Sequence, residues 1–212
     1  MQFGVFVYEG VEPIDLATFG VLSMARRVAP QIEIVTIAPE AGPVILSNGL
    51  TVLAQYSVDD APPLAALIVT GGPGWQDQTT HAPTLRYLRQ CAENHLVASV
   101  CTGAMILAAS GVLDGHTATT KREVIEGQEA PPIDLLAATG QSITTIPARF
   151  VDEGTVITGG GVSLCIDTTL HLLERMLGQE VAAETARIIE YGSAMAANEN
   201  RLPARRQKAD QS

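Results

Sequence analysis

Cys101 has the surroundings in this sequence that point most directly to chemistry. It stands in Ser99-Val100-Cys101-Thr102-Gly103, between the apolar run LVASV and the helical stretch TGAMILAAS. A nucleophile carried on a sharp strand-to-helix turn needs small residues two before and two after it, because the backbone doubles back tightly. Ser99 and Gly103 meet that need. The turn sets Cys101 at a helix N-terminus, where the macrodipole and free N–H groups favour a thiolate, and thiol pKa values there fall from about 8.5 to roughly 3.5–7.5. The N–H groups of Thr102, Gly71 and Gly72 are expected to face charge developing on a substrate. The competing reading is a small buried hydrophobe at a strand end, which the context of the turn disfavours.

The other candidates are weaker. Cys91 lies mid-helix in an apolar stripe and reads as core. Cys165 follows Gly159-Gly160-Gly161 near a helix start; core packing is the favoured reading, with a position facing the site as the alternative. Asp15 follows the first strand and so reaches the same edge as Cys101. It reads equally as an acid/base partner and as a first-turn acid just after Pro13 that stabilises the helix dipole. Glu9 and Glu12 compete for that role but read as surface residues. His81 and His95 flank a helix, His116 sits in a Gly115-His116 turn and His171 is mid-helix, so none is placed for a Cys-His dyad. No cluster has metal-ligand spacing. The glycine runs match neither dinucleotide nor Walker patterns, so no cofactor is expected.

These residues need a scaffold, and the chain alternates between strand and helix patterns. QFGVFVY (2–8) is a buried strand, and a helical pattern runs from Pro13 to about Val28. IEIVTIA (32–38) is the next strand. VILSNGLTVLA (44–54) holds an Asn48-Gly49 hairpin signal. AALIVT (65–70) is a strand running into Gly71-Gly72-Pro73-Gly74. Pro83 to His95 is a helix, and 96–100 is the strand before Cys101. ARFV (148–151) and TVIT (155–158) suggest a hairpin around Glu153-Gly154. A long helix and a second one from about Gln179 to Ala197 follow. Buried strands alternating with helices predict a doubly wound, mostly parallel sheet with helices on both faces. Ligands in such folds bind outside the carboxyl ends of the strands. The loops carrying Glu9–Asp15, Gly71–Gly74 and Cys101-Thr102 should therefore gather on one edge.

Composition narrows the classes. With 212 residues, 46% hydrophobic and 17% charged, the chain can bury a core as a single domain over residues 1–200. A net charge of −10 opposes nucleic-acid binding. The basic run from Arg201 to Lys208 reads as part of a solvated, mobile tail, 201–212. No apolar run reaches the roughly 18 residues of a membrane span. The N-terminus opens on a strand pattern without a charged leader. Three cysteines without CxxC spacing argue against a disulfide framework, and a cytoplasmic location is expected.

The stretches EGVEPIDLATFGVL, LIVTGGPG, VASVCTGAMILAASGVLDGHTATT, RFVDEGTVITGGGVSLCIDTTLHLL and IIEYGSA together resemble the ThiJ/PfpI superfamily. The resemblance spans the chain to about residue 194. It implies a class I glutamine amidotransferase-like, flavodoxin-like fold and a homodimer. Protease-like members carry a histidine after the cysteine, where this chain has Thr102. Cys-Thr-Gly with an Asp in the first loop is similar to the isonitrile hydratase branch, which adds water to R–N≡C to give an N-substituted formamide. By position, the resemblance implies Cys101 as nucleophile, Asp15 as acid/base, Thr102 as assisting hydroxyl, and Gly71 and Gly72 as backbone donors, acting on a small molecule. Two departures fall on segments expected to line the pocket: Lys121-Arg122 where many relatives have His-Trp, and Leu164-Cys165 where they tend to have Ala-Gly. Alternative expectations are a glyoxalase-like enzyme acting on reactive carbonyls, a cysteine redox sensor, and a sensory domain like those of AraC-type regulators.

Overall fold

The computed structural model describes residues 1–139 and 142–206. The strands are β1 (Gln2–Phe6), β2 (Glu33–Ala38), β3 (Gly42–Ile45), β4 (Thr51–Ala54), β5 (Tyr56–Ser57), β6 (Ala66–Val69), β7 (Leu96–Ser99), β8 (Thr117–Ala118), β9 (Thr144–Thr145), β10 (Phe150–Asp152) and β11 (Val156–Gly159). The helices are α1 (Ala17–Ala25), α2 (Trp75–Gln78), α3 (Ala82–Asn94), α4 (Gly103–Ser110), α5 (Pro132–Ala137), α6 (Cys165–Leu177), α7 (Gln179–Ile188) and α8 (Gly192–Arg201). The central sheet runs β10-β11-β7-β6-β1-β2-β5. Every pairing in it is parallel except β10 with β11.

The strand order explains the two helical layers. The chain leaves β1 towards β2 through α1, and leaves β6 towards β7 through α3, in the opposite direction. Right-handed crossovers then place α1 on one face and α3 on the other. Helices α6 and α7 pack with α1, whereas α2 and α4 join α3. With both faces covered, β1, β6, β7 and β11 are buried almost throughout, which is why they read as unbroken apolar runs. The order reverses between β1 and β6, so a crevice opens beyond their carboxyl ends.

The hairpin expected around Asn48-Gly49 forms from β3 and β4, with φ of 60° at Asn48 and 86° at Gly49. Two expectations are corrected. The pattern from Gln179 to Ala197 is not one helix: Glu190 takes φ 56°, the Tyr191 N–H returns to the Ala186 carbonyl, and the chain restarts as α8. The first part of the tail is not free. Arg205 N–H donates to the Phe150 carbonyl, Asp152 N–H to the Arg205 carbonyl, and Arg149 N–H to the Pro203 carbonyl. β10 is an edge strand with unpaired backbone groups, and this segment satisfies them. Residues 207–212, the rest of the expected tail, lie outside the described residues.

Side chains hold α8 and this segment in place. Buried Arg149 donates to Asp167 Oδ1 at 2.9 Å and to Glu199 Oε1 at 3.1 Å. Tyr191 Oη and Asn198 Nδ2 donate to Asp167 Oδ2 at 2.8 and 2.9 Å. His171 stacks on Phe150 and bridges Asp152 and Glu174. Removing one member of a buried ion pair leaves the other charge uncompensated, at about 3–5 kcal/mol. Asp167→Ala is therefore expected to lower unfolding free energy by about that amount, measured as a fall in urea midpoint at constant slope.

Candidate active site

Cys101 sits between β7 and α4 with φ 50°. That left-handed conformation costs a residue with a Cβ about 1–3 kcal/mol, so the surroundings must impose it. They do so from both sides of the peptide unit. Cys101 N–H donates to the Gly160 carbonyl at 3.1 Å, and Thr120 Oγ1 donates to the Cys101 carbonyl at 2.6 Å. The Gly103 N–H closes the turn onto the Val100 carbonyl at 2.9 Å. Gly103 has to be glycine, because a Cβ there would lie 2.2 Å from the Val69 carbonyl oxygen. This is the strand–turn–helix geometry that the spacing of Ser99 and Gly103 predicts.

Asp15 comes from the 3-10 turn Pro13–Leu16 ahead of α1. It is fully buried, and its Oδ2 accepts the Gly71 N–H at 2.7 Å. Its Oδ1 is buried with no hydrogen-bond partner among the described residues. The structure places the Asp15 side chain in the interior. A surface acid serving its own helix dipole would be solvated, whereas this carboxyl is drawn inward across the β1 and β6 loops. Burial raises it to about 7, opposed by the Gly71 N–H and assisted by Glu12.

The hydrogen bonds revise the role expected for the two loop glycines. Gly71 N–H is taken by Asp15, and Gly72 N–H donates to Thr102 Oγ1 at 2.9 Å. They are committed to positioning Asp15 and Thr102 and do not face the cleft as free donors. The packing is close: a Cβ on Gly71 would lie 2.4 Å from the Thr102 nitrogen. The backbone N–H groups that act on the Cys101 sulfur are those of Thr102 and Val162. Tyr8 Oη, donating to the Thr70 carbonyl at 3.1 Å, lies beside Thr102.

The low thiol pKa expected at a helix N-terminus is also overturned. Cys101 is only 3% exposed. Burial, then the neighbouring Asp15 carboxylate, push its thiol up to about 12 against the Thr102 and Val162 N–H groups and Lys121. Desolvation of the sulfur outweighs the dipole.

A cleft of about 620 Å³ opens on this group, lined among others by Cys101, Thr102, Gly72, Trp75, Lys121 and Val162. That volume suits a small organic ligand. Glu12 lines it too, although the sequence reading leaves it on the surface. None of the four histidines lines it. His81 caps α3 by accepting the Thr84 N–H, and His171 is held by Asp152 and Glu174. Cys91 and Cys165 are buried in the core, and the Cys165 sulfur contacts the Ile14 carbonyl at 3.7 Å. No group of three or more His, Cys, Asp or Glu side chains among the described residues is arranged to hold a metal ion. Sequence reasoning missed Tyr8, Thr120, Gly160 and Val162. Recognising TVIT as a parallel neighbour of LVASV would have brought the loop holding Gly160 and Val162 to the same edge.

Residues 3–175 match the DJ-1/PfpI family. The chain belongs to that family. It is 30% identical to the isonitrile hydratase of Pseudomonas putida over 196 residues, covering 92% of this chain and 80% of that protein. It is 29% identical to the HTH-type transcriptional regulator GbdR of Pseudomonas aeruginosa, covering 74% of this chain but only 40% of the regulator. A ThiJ/PfpI family protein from Pseudomonas syringae superposes with a TM-score of 0.78 at 26% identity, covering 90% of this chain and 74% of the other. Hydratase and regulator sharing one fold means that this DJ-1/PfpI chain must be read from its site.

The buried carboxyl has a thermodynamic signature. Its folded pKa of about 7 lies above the ordinary value of 3.8, so its stabilising contribution is full below about pH 4 and lost as pH rises through 7. Asp15→Asn is expected to gain stability over the native protein across that window, by up to about 4 kcal/mol at pH 8. Denaturant titrations at pH 4.5 and 8 check it; an equal difference at both pH values would contradict the assignment.

Proposed function

We propose that this DJ-1/PfpI chain is an isonitrile hydratase-like enzyme, adding water to R–N≡C to give R–NH–CHO, with Cys101 as nucleophile and Asp15 as proton carrier. The observation that carries the reading is a buried carboxyl with one oxygen fixed by the Gly71 N–H, lying behind the cleft wall and close enough to act electrostatically on a cysteine held left-handed. The 30% identity to a whole isonitrile hydratase supports it.

The shifted pKa values suit a concerted proton transfer. A thiol pushed up to about 12 is not a standing thiolate, so it needs a base as it reacts. Asp15, ionised in about half the molecules near pH 7, takes the thiol proton while sulfur bonds to the isonitrile carbon. It returns that proton to the same carbon, giving the thioimidate R–N=CH–S–Cys101. Water then adds to this carbon, with Asp15 accepting a water proton and delivering it to nitrogen. The tetrahedral adduct collapses to the formamide as the C–S bond breaks, its hydroxyl proton passing through Asp15 to the departing sulfur, and the thiol is regenerated. Substrate and one water enter and the formamide leaves, so the balance calls for no redox co-reactant. Thr102 serves through its N–H at the sulfur and through its hydroxyl, which Gly72 ties down.

A redox-sensor reading is favoured by a thiol of low pKa, whereas burial raises that of Cys101. Location in the cytoplasm rests on the unpaired cysteines. A homodimer rests on family resemblance and on the exposed apolar side chains Ile45, Leu50 and Leu53 of the β3–β4 hairpin.

Purified protein incubated with cyclohexyl isocyanide should release the N-substituted formamide. Cys101→Ala should abolish turnover without unfolding the chain, and Asp15→Asn should slow it by about 10²–10⁴-fold. Because Asp15 acts first as a base, kcat/KM should rise with pH through about 7. No formamide from the native protein, or turnover surviving in Cys101→Ala, would overturn the proposal.

A further inference from the structure

Resting on the reading of Cys101 as nucleophile, we infer that the cleft takes a small electrophile bearing a carboxylate, and that Lys121 seats that carboxylate. Lys121 and Lys208 are the lysines of the sequence, and Lys121 is the one among the described residues. It lines the same cleft as Cys101.

Its position follows from the turn that holds the cysteine. Thr120 is bonded to the Cys101 carbonyl, and the Lys121 carbonyl accepts the Ile133 N–H at 3.0 Å. The backbone on either side is therefore fixed, and Gly161 packs against the Lys121 stem. Val162 and Lys121 together divide this cleft from a neighbouring one of about 220 Å³ that Arg122 and Arg201 also line.

The ammonium is poorly satisfied. Among the described residues its charge partner is Glu129, 3.9 Å away and half exposed, and no hydrogen bond joins them. Such a pair contributes little. Arg122 and Arg201, by contrast, share Glu123. Much of the cleft wall is apolar, including Ile14, Trp75, Leu135 and Val162. A neutral substrate would leave the lysine's three donors without partners in a partly desolvated site. A substrate carboxylate would give them a charge-assisted hydrogen bond.

The acidic groups fix the orientation. Two carboxylates line the cleft: Glu12, which raises Asp15 and has no cation beside it among the described residues, and half-exposed Glu129, which a substrate carboxylate displaces from Lys121. The carboxylate must lie towards Lys121, with the electrophilic carbon at the sulfur.

Two alkylating reagents that differ in charge test this without relying on isonitrile chemistry. With either one, the Cys101 sulfur displaces iodide from carbon: an S–C bond forms, the C–I bond breaks, iodide leaves and the thiol proton is lost. Rates for iodoacetate and iodoacetamide at Cys101 are followed by site-resolved mass spectrometry and referred to free cysteine. The native protein should favour iodoacetate relative to that reference. Lys121→Met should lower the iodoacetate-to-iodoacetamide ratio about tenfold. An unchanged ratio, or both rates falling by the same factor, would overturn carboxylate recognition while leaving Cys101 as the nucleophile. Failure of both reagents to label Cys101 would overturn the nucleophile reading and this inference with it.

Discussion

The site is organised around one strained peptide unit. Cys101 holds φ 50° because its N–H is tied to the Gly160 carbonyl and its carbonyl to the Thr120 hydroxyl. Those partners come from distant parts of the chain, the end of β11 and the stretch after β8. The parallel pairing of β7 with β11 brings Gly160 into reach, and Thr119 N–H, bonded to Thr158 Oγ1 at 2.9 Å, holds the Thr120 stretch against β11. The cost of a left-handed cysteine is borne by the sheet, and the return is a sulfur directed into the cleft.

Burial around that sulfur sets the electrostatics. Water is excluded from both Cys101 and Asp15, and each group's neutral form is favoured as a result. A site in which both charges are disfavoured is suited to passing one proton between them, with negative charge moving onto substrate only as bonds form. The two loop glycines serve this arrangement by fixing the acid and Thr102. A Cβ on Gly72 would meet the Glu12 nitrogen at 2.2 Å, so the loops of β1 and β6 can approach only with glycine there.

The outer wall has a different character. The inner group is locked by backbone hydrogen bonds, whereas Lys121, Glu129 and Trp75 meet the cleft through side chains that can change without disturbing the turn. Within a family whose members include a hydratase and regulatory proteins, it is the site and not the scaffold from which this chain has to be read.

Much of this was legible in the sequence. Unbroken apolar runs identify strands buried on both faces, and the small residues flanking Cys101 identify a tight turn, because both patterns follow from local sterics and burial. The rule that ligands gather at the carboxyl ends of parallel strands placed Asp15 beside Cys101. Three matters were decided only by the tertiary structure. The Gly71 and Gly72 N–H groups are spent on side chains contributed by other loops, Glu190 breaks an otherwise continuous helical pattern, and the segment after α8 covers the exposed edge of β10. The thiol's pKa belongs with them. A helix dipole can be read from a local pattern, but desolvation is the sum of every chain segment that closes over the sulfur, and that sum exists only once the chain is folded.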